Sequence, residues 1–575
     1  MKVDSRRICQ LFREMADFLS IKGENPFRIR AYEKAAEAIE HLPGDLENLY
    51  KKGELKNIPG IGKGMIEKIG TILHTGTLPA YEELKKEIPR GVVELLSIPE
   101  MGPKTVKLLY EKVGIKNIED LEKFVNSQKL RHLPGMGAKT EENIKRGIEL
   151  YKASRSRILL GKALPMVKEV MEELKKKASS LIERISTAGS LRRGKETIGD
   201  VDILVSSRKP SLVIDSFVEL PFVKDVLAKG ETKSSILTHQ GLQIDLRVVE
   251  PDSFGAALQY FTGSKSHNIV LRERAIKRGL KINEYGVFTE KGEKKAGETE
   301  EGIYRYLDLS YIPPELRENR GEFEAAERGK LPHLIEEREI KGDLHIHTEA
   351  SDGSNSIEEL IEKAREKNYE YIGITDHSSS LRVGRGLSRE ALLSQIKKIE
   401  RINSHLKGFQ VLKGSEVDIL KDGTLDYPDE ILRRLDIVII ALHTGFKQDR
   451  ETITNRIIKA MQNPYAQILA HPTGRLLGER EAYSLNMEKV LEVAKDRGIW
   501  LEINAQPQRL DLTDVWIMEA KKRGIKLVIN TDAHHKEGLD MISLGVITAR
   551  RGWLEKKDVI NTLTLNELSK LLCKK

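Results

Sequence analysis

The stretch Gly199-Asp200-Val201-Asp202-Ile203-Leu204-Val205 reads as a β-strand with a difficulty built in. Side chains alternate across a strand, so Val201, Ile203 and Val205 share one face and belong to a core. Asp200 and Asp202 share the other face, where like charges repel. A solvated strand face tolerates such a pair, and D-x-D alone is common. The flanking sequence changes the reading. Just upstream stands Gly189-Ser190-Leu191-Arg192-Arg193-Gly194. A turn there frees backbone N–H groups and the Ser190 hydroxyl to hold phosphate oxygens, with Arg193 as counter-charge. Downstream, Gln243-Ile244-Asp245-Leu246-Arg247-Val248-Val249 alternates in the same way and offers Asp245 from its polar face. Carboxylates beside a phosphate cradle imply Mg²⁺ or Mn²⁺; Mg²⁺ keeps few protein ligands and takes the rest from phosphate and water. Two such ions bridged by carboxylates suit in-line phosphoryl displacement.

The chain around this constellation has 575 residues and holds more than one domain. Its net charge of +8 is uneven: residues 336–575 hold 38 basic and 38 acidic side chains, so the whole surplus lies in the first 335. That part is expected to meet a polyanion. The two cysteines, Cys9 and Cys573, stand at opposite ends and form no disulfide framework or zinc-finger spacing. A reducing, cytoplasmic setting is expected. The start carries Asp4 and Glu14 without a long apolar run, unlike a signal peptide, and no apolar stretch is long enough to span a membrane.

Residues 1–150 read as short helices broken by Gly and Pro. One pattern occurs three times: LKNIPGIGKGMIEKI (55–69), LLSIPEMGPKTVKLL (95–109) and LRHLPGMGAKTEENI (130–144). Each is an apolar turn, a tight hairpin (Gly60 and Gly62; Gly102; Gly135 and Gly137) and a new helix. The middle copy has Glu100 where the others have the first Gly. Glycine permits close backbone approach, and a helix start offers free N–H groups, so such hairpins suit DNA phosphates without reading bases. Lys63, Lys104 and Lys139 stand at or just after them. A lone copy would pass as a packing corner; three copies resemble helix-hairpin-helix motifs.

Residues 151–315 alternate strands and helices, with strands at 185–188, 201–205 and 242–249 and a charged helix at 168–177. Residues 316–338 are charged, low in apolar content, and read as a linker. Beyond 339, the runs YIGIT, DIVIIALH, AQILAHP, IWLEINA and KLVINTDAH alternate with amphipathic helices, which predicts a barrel-like α/β domain. His and carboxylate residues follow almost every run: Asp343-Leu344-His345-Ile346-His347, Asp352, Asp376-His377, Glu416, His443, His471 and Asp532-Ala533-His534. Strand C-terminal ends of a barrel converge on one rim. Imidazoles and carboxylates gathered there suit Zn²⁺, Mn²⁺ or Fe²⁺.

Together, GSLRRG, GDVDILV, IDLR and YFTGSKSHNIVLRERAIKRGLKINEYG (260–286) resemble a family X DNA polymerase of the polymerase beta type, over residues 1–315. The resemblance implies a polymerase palm in which Asp200 and Asp202 bind two ions and Asp245 binds the catalytic one beside the primer 3′-hydroxyl. By it, Gly189, Ser190 and Arg193 hold the triphosphate, Tyr260, Phe261 and Gly263 line the sugar pocket, and Asn268 and Arg272 reach the nascent pair. Departures are Lys265 and His267 in place of Asp and Phe, which alters contacts to the incoming base, Gln243 in place of Arg, and Ala163 where an Arg is expected. NPFRIRAYEKAA (25–36) and GIGKGMIEK (60–68) are similar to the family's lyase domain, with Lys68 at the Schiff-base position beside Tyr32 and Arg28.

The tail resembles a PHP phosphoesterase domain. That implies a distorted (β/α)7 barrel with nine ligands for three ions: His345, His347, Asp352, His377, Glu416, His443, His471, Asp532 and His534. Arg385 and Arg475 are candidates for substrate phosphate. The expected architecture is a lyase-like helical domain (1–90), a second helix-hairpin-helix part (91–150), an α/β nucleotidyltransferase palm (151–255), a nucleotide-binding subdomain (256–315), the linker (316–338) and the PHP domain (339–575). The expected function is gap filling in DNA repair with 3′-5′ exonuclease or other 3′-end processing, acting as a monomer on gapped or primed DNA with dNTPs. Competing readings are an RNA or tRNA nucleotidyltransferase, a small-molecule phosphatase fused to an impaired polymerase, and a noncatalytic DNA-binding scaffold. The hairpins and YFTGS weigh against the first, and the retained carboxylates and histidines against the other two.

Overall fold

A computed structural model describes residues 5–40, 46–58, 60–98, 101–155 and 157–572. Glu100 and Cys573 lie outside the described residues. Those described fall into two compact units, one up to residue 155 and one holding nearly everything from 157 onward.

The first unit is helical. The three predicted hairpins share one construction. Ile61, Met101 and Met136 donate their N–H groups to the carbonyls of Ile58, Ile98 and Leu133 at 3.0–3.1 Å. Gly60 and Gly135 turn the chain at φ +93° and +77°, a region that side chains disfavour. Gly62 and Gly102 then cap the helices Lys63–Thr75 and Pro103–Leu108, and Gly137 accepts the N–H of Glu141 at 3.1 Å as Ala138–Arg155 begins. Lys63, Lys104 and Lys139 are all exposed beside these helix starts.

In the second unit, the strand Asp200–Ser206 lies in a five-stranded sheet between Arg184–Thr187 and Gln243–Val249, followed by Lys233–Thr238 and Val223–Lys229. Its pairing with Gln243–Val249 is parallel and sets Asp202 opposite Asp245. Val201, Ile203 and Val205 are fully buried, each worth about 1.5–3 kcal/mol. A slip of one residue would exchange them for the carboxylates, so the core fixes the register. The helix predicted at 168–177 begins earlier, at Leu160, because Leu160, Ala163, Val167 and Val170 pack on this sheet.

Residues 254–305 add two helices, Phe254–Thr262 and Lys265–Ile276, a three-stranded meander and a short helix, Glu300–Arg305. Residues 316–338, expected as a linker, are instead folded into the unit. Their charges are matched inside it: Arg317, fully buried, pairs with Glu300 at 2.6 Å, and Glu322 accepts from His267 at 2.8 Å, while Phe323 and Ala326 join the core. Low apolar content misled because the charges nearest the core, Arg317 and Glu322, are paired rather than solvated, although Glu324, Glu327, Arg328 and Lys330 remain exposed.

From Gly342 onward seven parallel strands run in chain order, from Gly342–Ile346 to Leu527–Asn530. The first and last meet at an irregular join, where Ile346 bridges Ala533 and His347 donates to the Ala533 carbonyl at 2.9 Å. This closes the expected seven-stranded barrel. Its helix Ile542–Arg551 also packs on the five-stranded sheet's domain, and Leu510 and Leu544 belong to that domain's core.

Two candidate metal centres

The first centre sits on the polar face of the sheet. Asp200 is exposed and Asp202 half-buried. Burial, then the neighbouring charges of Asp200 and Asp245, push the Asp202 carboxyl up to about 6. Three carboxylates crowd together with little compensation. Lys233 stands 3.6 Å from Asp245, and Gln243, in the position of the expected Arg, donates to Asp245 at 3.0 Å. Cations would relieve this repulsion, so the residues present fit divalent ions.

The loop expected to hold phosphate abuts them. Gly189 has φ +59°, and a Cβ there would lie 2.4 Å from Asp202 Oδ2. Only glycine lets the loop backbone come this close. Ser190 follows it. Arg192 turns inward to a bidentate pair with buried Glu300 at 2.9 and 2.6 Å, which leaves Arg193 as the loop's cation. Arg193 donates to Glu318 at 3.1 Å and to the Thr262 carbonyl. The loop is thereby joined to Tyr260-Phe261-Thr262-Gly263, and Gly263 leaves room for the guanidinium, whose Nη1 would lie 3.3 Å from a Cβ. Asn268 donates to the Tyr260 carbonyl at 2.7 Å, and Arg272, exposed, donates to the Asn268 carbonyl at 3.2 Å. His267 is fully buried, stacked on Phe323 and bonded to Glu322 and Tyr304. Only Lys265 is exposed at the departures. Ala163 is buried in the core.

In the helical unit, Lys68 lies with its amine 5.6 Å above the Tyr32 ring and donates to the Gly64 carbonyl at 3.1 Å. Arg28 and Tyr32 share that neighbourhood.

The second centre lies at the C-terminal ends of the barrel strands, and all nine predicted side chains converge there. Glu416 is the hub. Its Oε2 stands 2.8 Å from His377 Nδ1 and 3.5 Å from His345 Nε2; its Oε1 stands 2.9 Å from His471 Nε2 and 3.4 Å from His443 Nε2. Asp532 Oδ1 lies 3.1 Å from His347 Nε2 and 3.6 Å from His345 Nε2. Asp352 reaches His377 at 3.3 Å and His534 at 3.4 Å. Three groups have ligand atoms within metal-binding reach: His347, Asp352, His377 and His534; His345, His347 and Asp532; His377, Glu416 and His443. His345 Nε2, His347 Nδ1, His377 Nδ1 and Glu416 Oε2 are buried and make no hydrogen bond of good geometry, the 2.8 Å approach of His377 Nδ1 to Glu416 Oε2 included. Orphaned donors and acceptors aimed at one point are what a multinuclear cation site leaves when protein atoms alone are considered. His471 and Asp532 hold φ +26° and +52°, strain tolerated where ligand direction matters.

The charges agree. Burial opposes ionisation of Glu416, yet His443, His345 and His377 hold its carboxyl well below the usual range. Burial and the neighbouring His377 and His534 push His347 down to about 4, into the neutral form that binds metal. Against burial, the adjoining carboxylates, Glu416 foremost, push His377 up to about 10 and His443 up to about 9, protons that a bound cation would replace.

The sequence reading missed the shell behind the ligands. Glu502, fully buried, accepts from His345 Nδ1 at 2.7 Å, from the His471 N–H at 2.8 Å and from Asn530 at 3.0 Å, orienting two ligands at once. Asp418 accepts from His443 Nδ1 at 2.5 Å. Asp376, beside His377 in sequence, instead holds Thr348, Ser351 and Gln395. A carboxylate in the run IWLEINA was a visible signal, since an ionisable group inside an apolar strand needs a partner. Of the two arginines considered for substrate, Arg475 is taken by Glu196 at 2.7 and 3.1 Å, and Arg385 is exposed.

A carboxylate triad beside a phosphate loop, together with a histidine-carboxylate rim on a parallel barrel, defines a protein with two phosphoryl-transfer centres. Family models match over separate stretches: a helix-hairpin-helix domain at 4–78, a SAM-like helix-hairpin-helix tandem at 92–149, the DNA polymerase beta thumb at 257–318 and the PHP domain at 343–506. The chain is 40% identical over 568 residues, 98% of both chains, to the DNA polymerase/3′-5′ exonuclease PolX of Bacillus subtilis. It is also 28% identical over 347 residues to DNA polymerase lambda of Arabidopsis thaliana, covering 54% of this chain and 62% of the other. A probable phosphatase of Caldanaerobacter subterraneus is 32% identical over 205 residues, 33% of this chain and 75% of the other. The chain belongs to the family X DNA polymerases that carry a C-terminal PHP domain.

Proposed function

We propose that this chain is a DNA-directed DNA polymerase that fills short gaps and whose PHP domain removes nucleotides or blocking groups from 3′ ends. The observation that carries the reading is the parallel register that puts Asp202 beside Asp245 on one sheet face, with a glycine loop pressed against Asp202. Asp200, Asp202 and Asp245 would hold two Mg²⁺ or Mn²⁺ ions, which would neutralise charge developing on the transferred phosphate. Asp245 orients the primer 3′-hydroxyl and accepts its proton. The loop N–H groups, the Ser190 hydroxyl and Arg193 hold the triphosphate oxygens, and Tyr260, Phe261 and Gly263 shape the sugar pocket. The hairpins at Gly60, Gly62, Gly102, Lys104, Gly135 and Gly137 grip DNA phosphates.

In the PHP centre the nine side chains would hold three ions of the Zn²⁺, Mn²⁺ or Fe²⁺ type, which would supply Lewis acidity. Glu502 and Asp418 keep His345 and His443 in the tautomer that faces inward. Lys68 is carried as the candidate Schiff-base nucleophile, tested by borohydride trapping on a 5′-deoxyribose-phosphate gap. Among the described residues no helix is long and apolar enough to cross a membrane.

The test uses a gapped duplex with Mg²⁺ or Mn²⁺, with and without dNTPs. Asp245→Ala abolishes extension and leaves 3′ resection; His345→Ala does the reverse. Extension surviving in the first, or resection and 3′-phosphate removal surviving in the second, overturns the corresponding half.

A further inference from the structure

The phosphate loop of the palm is held from the PHP domain. Gly194 ends the loop at φ +65°, and a Cβ there would lie 2.2 Å from Cγ2 of Ile547, so the PHP helix Ile542–Arg551 rests directly on it. At the end of that helix, Arg551 is 3% exposed. Its Nη1 donates to the carbonyl of Arg193 at 2.7 Å and to Glu318 Oε1 at 3.2 Å, and its Nη2 donates to Asp514 at 2.5 Å. Glu318 Oε1 also receives Arg193 Nε at 3.1 Å, with Lys195 at 3.6 Å. One carboxylate oxygen thus gathers three cations, one from the loop, one just past its end and one from the other domain.

We propose that Arg551 is a positioning residue for nucleotide binding in the palm: it anchors the loop backbone at Arg193 and, through Glu318, aims the Arg193 guanidinium at the triphosphate. The proposal rests on the reading of Arg193 as a triphosphate ligand. A guanidinium offers five N–H donors in a rigid fork. Glu318 takes Nε and the Thr262 carbonyl takes one hydrogen of Nη1, so the fork is oriented before nucleotide arrives, with the rest of Nη1 and Nη2 left for phosphate. An arginine ordered in advance loses little rotamer freedom on binding, which tightens the ground-state complex. Without Arg551, Glu318 has fewer cations to share and the loop carbonyl loses its donor. The effect therefore falls on nucleotide affinity, whereas the carboxylates that carry the chemistry keep their register. Arg551 makes its bonds to Arg193, Glu318 and Asp514, which are not among the PHP ligands, so exonuclease activity stays intact.

The experiment measures single-nucleotide gap filling against dNTP concentration, and 3′-5′ resection, in the full chain. Arg551→Met raises KM for dNTP about tenfold, as expected for one lost charge-assisted hydrogen bond, and lowers kcat by less than about threefold. Arg551→Lys recovers part of the loss, since an ammonium keeps the charge without the fork. Glu318→Gln raises KM in the same way, and the double variant costs less than the two single effects added together, because the residues share Glu318 Oε1 while Arg551 also holds the Arg193 carbonyl. Resection stays at the parent rate. Where Arg551→Met does not fold, Glu318→Gln carries the test. The proposal is overturned if KM is unchanged in both single variants while Arg193→Met raises it, or if extension and resection fall together in folded protein. An unchanged KM in Arg193→Met instead overturns the reading of Arg193 itself.

Discussion

Replacing Gly189 by Ala is a direct perturbation of the palm that adds and removes no charged group. The added Cβ would stand 2.4 Å from Asp202 Oδ2, while ordinary contacts begin near 3.4 Å. The carboxylate must then retreat by about 1 Å, or the loop must lift by as much. A misplacement of about 1 Å near a reacting centre costs on the order of a hundredfold in rate. The left-handed φ of +59° adds a separate backbone cost of about 1–2 kcal/mol, felt as lower stability rather than as lost chemistry. The two effects separate experimentally. Gap-filling kcat in Gly189→Ala is expected to fall about a hundredfold, with a higher Mg²⁺ requirement, while 3′-5′ resection by the same preparation stays within about twofold of the parent. Thermal unfolding drops modestly. A variant that extends primers at more than about a third of the parent rate would refute the argument that Asp202 needs this close glycine, and equal loss of both activities would trace the defect to folding.

Other outcomes follow from the same geometry. Glu502→Gln weakens two ligand orientations at once and is expected to lower metal affinity of the PHP centre by about ten- to a hundredfold, seen as metal lost on graded chelation; unchanged retention would deny it that role. Lys63, Lys104 and Lys139 changed together to Ala should flatten the plot of log binding constant against log salt by about 0.9 per lysine, and an unaltered slope removes the hairpins from the phosphate contacts. Asp17 has its carboxyl pushed up to about 6, first by burial and then by Glu14 and Glu33. Its proton is held more tightly in the folded state, so its charge costs stability as pH rises from about 4 to 6 and throughout the range above. Asp17→Asn should therefore stabilise the helical unit at pH 7.5 by about 1 kcal/mol, a figure reduced for partial exposure, with the gain vanishing at pH 4 in calorimetry; a gain equal at both pH values would refute the titration.

The strands that carry Asp202 and Asp245 were legible because alternation separates core from polar face. Eight of the nine side chains gathered at the barrel rim were legible because they stand in or just after an apolar run; Asp352 does not. Two other palm strands, Val223–Lys229 and Lys233–Thr238, escaped notice: the first is an edge strand with almost every residue exposed, so no apolar period marks it. Segment 316–338 misled for the opposite reason, since Arg317 and Glu322 are buried as pairs and composition cannot distinguish a paired charge from a solvated one. Asp418 and Arg551 lay beyond reach, as did the partners of Glu502, because those partners are far away in sequence and only the fold brings them together.

The palm's apolar interior is completed by Leu510 and Leu544, and Gly161 sits where a Cβ would lie 2.8 Å from Pro507. The chain therefore has no clean cutting point at the start of the barrel. A polymerase fragment ending near residue 338 would be left with an uncovered greasy surface, prone to stick to itself and to soften around the nucleotide pocket. Poor synthesis by such a fragment would report missing wall material rather than missing chemistry. Dissecting the two activities calls for point changes at Asp245 and His345, with the molecule kept whole.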